Sequence, residues 1–68
     1  MSDYKECIRA LKSEGEPYTT FINDDGDMVI RFDYGNDNYA EFKFNGVGKH
    51  IEDVFMFNGE MSVFTFAE

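Results

Sequence analysis

A chain of 68 residues with eight Phe, four Tyr and one cysteine makes a single domain, held by one core and by no internal disulfide. Fourteen acidic against six basic side chains leave a net charge of −8, which repels nucleic acid and anionic lipid and disfavours direct binding to either. No basic-then-apolar leader and no run of ~20 apolar residues is present, so a cytoplasmic protein without a membrane span is expected.

In chain order, residues 3–14 read as a helix. Ser2 suits the N-cap, Asp3 suits the positive end of the helix dipole, and Gly15 suits the stop. Tyr4, Cys7, Ile8 and Leu11 recur at helical spacing and form one apolar stripe, with Lys5, Arg9 and Lys12 opposite. Three turns are marginal alone, so the stripe must dock on a sheet. Pro17 then favours an extended backbone. Residues 18–23 form a first strand, and Asp25-Gly26 signals a two-residue turn. That turn sets Phe21 opposite Ile30 and Thr19 opposite Phe32. Phe21 then falls on the core face, with Tyr18, Thr20, Ile22 and Val29 outside.

Residues 27–34 and 39–44 are the clearest pair of strands. Met28, Ile30 and Phe32, then Ala40, Phe42 and Phe44, recur at every second place. Setting Ile30 opposite Phe42 also sets Arg31 opposite Glu41 and Val29 opposite Lys43. A slip of one residue would mix core with solvent. This register implies a loop of odd length, Gly35 to Asp37 or Tyr34 to Asn38. Residues 45–53 read equally as loop, helical turn or short strand. Residues 54–57 and 60–66 form a last hairpin around Asn58-Gly59. The expected fold is α+β: one N-terminal helix on a mostly antiparallel meander of about five strands, in two layers.

Both faces of that last hairpin are apolar. Val54, Met56, Met61 and Val63 share one face, and Phe55, Phe57, Phe64 and Phe66 share the other. One short helix cannot cover two sides of a sheet. Either sheet curvature or the 45–53 segment shields the second face, or the four Phe form a homodimer or partner interface.

Enzymatic chemistry finds little support. Cys7 and His50 are the only conventional nucleophile and base, they sit on different elements, and no oxyanion motif accompanies them. Cys7 reads as a small hydrophobe of the helix stripe and His50 as an exposed loop residue. One His and one Cys do not make a zinc site. Residues 23–27 lack the ligand spacing of a calcium loop, and Gly46-Val-Gly48-Lys49 lacks that of a phosphate loop. No cofactor or metal is expected.

Carboxylates are the remaining signal. About −1 of the charge falls on residues 1–16 and the rest on the sheet portion. Asp24, Asp25 and Asp27 cluster at one end of the sheet and Asp37 at the other, with Asp33 and Glu41 on the outer face and Glu52 and Asp53 further along. Same-face neighbours on a strand lie ~6.7 Å apart, close to the pitch of a phosphate backbone. In general profile (very small, acidic, aromatic-rich) the chain resembles phage-encoded inhibitors that occupy the nucleic-acid groove of a host protein. That resemblance implies a non-enzymatic DNA-mimic or anti-CRISPR-like role in the host cytoplasm, against a basic nucleic-acid-handling partner such as a CRISPR effector. The alternative is a structural or assembly module that self-associates through its C-terminal hairpin.

Overall fold

The computed structural model describes residues 2–66. Helix α1 (Asp3–Glu14) precedes β1 (Thr19–Ile22), β2 (Met28–Gly35), β3 (Asn38–Phe44), β4 (His50–Phe57) and β5 (Glu60–Thr65). The strands form one antiparallel sheet in sequence order. With α1 on one face, the molecule is the two-layer α+β meander expected from the chain.

Local chemistry sets both ends of α1. The Ser2 hydroxyl accepts from the Lys5 N–H at 3.2 Å, satisfying one of the donors a helix start leaves unpaired. At the other end Gly15 adopts φ 72°. Its N–H donates to Lys12 and that of Glu16 to Leu11, closing the last turn in a Schellman motif. The stripe docks as anticipated. Leu11 is buried with Ile30, Phe32, Ala40 and Phe44, and Tyr4, Cys7 and Ile8 pack against this cluster.

β2 and β3 pair in the anticipated register, Ile30 with Phe42 and Arg31 with Glu41. Their connection is tighter than anticipated. The register shifts between Asp33 and Gly35, and Asn36 and Asp37 alone turn the chain, at φ 53° and 63°. A bulge absorbs the residue that would have lengthened the loop.

β1 departs from the expectation by one residue. Thr20 pairs with Ile30 and Phe21 with Val29, so Phe21 lies on the outer face, 43% exposed. Thr20 and Ile22 share the helix side, and Tyr18 packs on the core. The cause is the turn. Gly26 N–H donates to the Asn23 carbonyl, and Asn23 N–H donates to Asp27, both at 3.0 Å. The Asn23 side chain also accepts from the Asp25 and Asp27 amides. The loop therefore has three residues, with Gly26 at φ 83°, and one added residue turns every β1 side chain to the other face.

The ambiguous segment resolves into the same device. Asn45 accepts from the Val47 and Lys49 amides, and Gly48 adopts φ 88°. β4 then begins at His50, four residues earlier than the hairpin pattern indicated. Asn58 and Gly59, at φ 53° and 79°, form the anticipated two-residue turn between β4 and β5. The two Asn-x-x-Gly loops, 23–27 and 45–49, are thus one motif used twice at one end of the sheet.

Candidate functional site

Helix α1 covers the β2–β3 side of the sheet, and leaves β5, exposed along its length, and part of β4 uncovered. An open cleft of about 560 Å³ lies between α1 and this uncovered part, lined by Asp3, Glu6, Cys7, Phe42, Phe44, His50 and Asp53. It is built from the Gly48 corner. The Tyr4 N–H donates to the Gly48 carbonyl at 2.9 Å, and the His50 N–H donates to the Asp3 carboxylate at 3.0 Å. These bonds hold the start of α1 against the start of β4.

His50 is not the exposed loop residue that its sequence context implied. Its ring is stacked on Phe44 at 5.0 Å and tilted against Phe66 at 4.6 Å. Its Nε2 lies 2.5 Å from Asp53 Oδ1. In a regular strand, residues 50 and 53 would face opposite ways. The pairing changes register between Lys43 and Phe44, and this bulge on β4 sends both side chains to the helix side. Simple alternation could not have found the pair.

Cys7 and His50 do line one cleft, although they stand on different elements. Burial, and secondarily the negative charge of Asp53, push the Cys7 thiol above its ordinary 9.0. That shift is opposite to what a thiolate nucleophile requires. Iodoacetamide at pH 8 is expected to alkylate Cys7 more slowly in the folded protein than in urea, and equal rates would contradict this. The unfolded chain loses this proton first, so the contribution to stability is constant below 9.0 and declines as pH rises through that value. Thermal melts at pH 7 and pH 10 of the protein and of Cys7→Ser measure the difference. Among the described residues no group of three or more His, Cys, Asp or Glu side chains is arranged to hold a metal ion.

The eight acids singled out from the sequence do not gather into one row. On the outer face Arg31 pairs with Glu41 at 2.8 Å and lies 4.0 Å over the Tyr39 ring. Lys43 pairs with Glu52 at 3.0 Å, and chiefly this hydrogen bond raises the lysine above its ordinary value. Asp53 occupies the opposite face, beside His50. Asp25, Asp27 and Glu52 line a second depression with Lys43 and Phe66, and Asp24 lies in the same turn. Asp33 and Asp37 lie at the far end, where Asp33 accepts from the Gly35 amide. Among the described residues no ion pair engages Asp24, Asp25, Asp27, Asp33 or Asp37.

The four Phe of the last hairpin share one face, as anticipated from the Asn-Gly turn, and the structure makes it the helix side. Phe55 packs against the core, and Phe57 meets Tyr34 at 5.6 Å. Phe64 and Phe66 are 54% and 42% exposed. On the opposite face Val29 and Val54 are buried, whereas Met61 and Val63 of β5 stay at least half exposed. Among the described residues no helix is long and apolar enough to cross a membrane. What fold and cleft define is a small α+β domain with an aromatic floor and a carboxylate rim. No protein family, curated protein or solved structure matches the chain.

Proposed function

We propose that this protein is a non-enzymatic binding module that captures a cationic segment of a basic partner protein in the cleft between α1 and β4. The observation that carries this reading is the joint placement of Asp3, Glu6 and Asp53 around Phe42, Phe44 and His50. Carboxylates neutralise an arginine or lysine head, and aromatic faces attract both its charge and its aliphatic stem. The Arg31 guanidinium over Tyr39 and against Glu41 is the same recognition made within the chain.

Asp24, Asp25 and Asp27 stand at the same end of the sheet, free of ion pairs within the described residues, and add to the field that steers a positive partner inward. A protein that grips nucleic acid offers such cationic segments in its phosphate-binding groove, and this chain would occupy that groove in place of the nucleic acid. The acids are split between two ends and two faces, which favours capture of a compact segment over imitation of a long duplex.

Titration with an arginine-rich peptide, followed by amide chemical shifts, tests this. Binding is expected to weaken by at least about tenfold between 50 mM and 500 mM salt. Perturbed amides should centre on Asp3, Glu6, His50 and Asp53. Glu6→Gln, at an exposed position, should weaken binding several-fold without changing the melting temperature. Affinity indifferent to salt, or shifts confined to the outer face, would sink the proposal.

A further inference from the structure

We infer that the free edge of β5 is a self-pairing surface, on which a second copy of this chain adds its own β5 in antiparallel register to build a continuous ten-stranded sheet. β5 ends the strand order, so among the described residues one side of its backbone has no strand partner. Phe66 N–H donates to the Ile51 carbonyl at 3.0 Å, and the β4–β5 register is unbroken from Glu52–Thr65 to Phe57–Glu60. By the alternation of an antiparallel ladder, Ser62 and Phe64 also turn their polar groups toward β4, and Met61, Val63 and Thr65 turn theirs outward.

Exposed edges of this kind are normally blunted by lysine, proline, a bulge or shortness. β1, at the other edge, is short and has only four residues. β5 has six, Glu-Met-Ser-Val-Phe-Thr, all exposed, without lysine, proline or bulge. Apolar side chains flank it on both faces, Met61 and Val63 on one and Phe64 on the other, each at least half exposed. An added strand would extend both apolar surfaces at once.

The chemistry of β5 suits its own copy. A two-fold axis normal to the sheet keeps like faces together, so Val63 can meet Val63 of the partner subunit, with Met61 opposite the partner's Thr65. Each of these pairs exchanges two N–H···O bonds. The single charge, Glu60, sits at the strand end opposite the partner's Phe66, so no like charges face each other. A contact of this size falls below the roughly 1,200–2,000 Å² of a standard stable interface, so the dimer forms only at high concentration. Its salt dependence is distinctive. Each chain carries −8, so screening strengthens self-pairing, whereas capture of a cationic segment weakens with salt. The two proposals therefore fail separately.

Sedimentation equilibrium up to about 1 mM protein, at low and high salt, is expected to show a monomer–dimer equilibrium that salt shifts toward dimer. Amide exchange should slow at Met61, Val63 and Thr65 on concentrating the protein, with Ser62 and Phe64 protected throughout. Val63→Lys sets two like charges face to face and should abolish the dimer with an unchanged monomer melt. Val63→Pro takes away an outward N–H at a place where an edge strand tolerates proline, and should likewise abolish the dimer. A monomer at every concentration, a dimer that survives Val63→Lys, or a dimer whose Met61, Val63 and Thr65 amides exchange as in dilute solution would overturn the inference.

Discussion

Gly48→Ala is expected to destabilise the domain by about 2–3 kcal/mol, against about 1 kcal/mol for Gly26→Ala. Both glycines occupy the same place in the same Asn-x-x-Gly loop, with φ 88° and 83°, so both substitutions carry the left-handed backbone cost of a Cβ. They differ in what the Cβ would meet. At Gly26 nothing lies within 4 Å, whereas at Gly48 the Ser2 Cβ would be 2.5 Å away and its Oγ 2.7 Å. Gly48 is also buried, and its carbonyl receives the Tyr4 N–H. An alanine there must push the helix N-terminus off the sheet, and the Asp3 carboxylate that anchors His50 would move with it. Urea denaturation checks the difference through the midpoints, with slopes unchanged if the unfolded states match. Equal losses at the two sites would show that α1 is not seated on this loop. Domains of this size have roughly 3–10 kcal/mol of stability in all, so Gly48→Ala removes a large share of it.

A still larger loss is expected for Phe44→Ala, about 3–5 kcal/mol, enough to leave much of the protein unfolded at 25 °C. Phe44 is 2% exposed and belongs to the central cluster with Leu11 and Ile30. It also meets Tyr4 edge-on at 5.4 Å and carries the stacked His50 ring. One side chain thus serves the helix contact, the sheet core and the floor of the cleft. Phe44→Leu separates these roles. Leucine keeps most of the buried apolar volume and should cost under about 2 kcal/mol, but it offers no aromatic face to His50. In that variant the fold should persist, by circular dichroism, while affinity for the arginine-rich peptide falls severalfold. Unchanged affinity in a folded Phe44→Leu would remove the aromatic floor from the binding mechanism and leave only the carboxylates.

The two proposed surfaces occupy neighbouring parts of one uncovered region. α1 has only twelve residues and its apolar stripe is satisfied by β2 and β3. The sheet extends two strands beyond the helix, and those strands carry aromatic residues on the same side. Pairing at β5 would set two such regions side by side, each with its own cleft against its own helix. Binding of a cationic segment and self-pairing can therefore coexist, and opposite salt responses separate them in a single titration.

Residue order by itself determined the helix from Asp3 to Glu14, the register of β2 on β3, the Asn58-Gly59 turn and the common face of Phe55, Phe57, Phe64 and Phe66. Each follows from a local rule, a cap, a period of two or a turn dipeptide, that needs no information from elsewhere in the chain. Tertiary structure decided the rest. Whether Asp25-Gly26 turns in two residues or three depends on the Asn23 side chain closing the loop, and that one residue reverses β1. The meeting of His50 with Asp53 depends on a bulge, where alternation fails. The cleft itself arises from how far a short helix reaches across a wider sheet. Local periodicity reports which residues share a face; only packing reports which part of that face is left open.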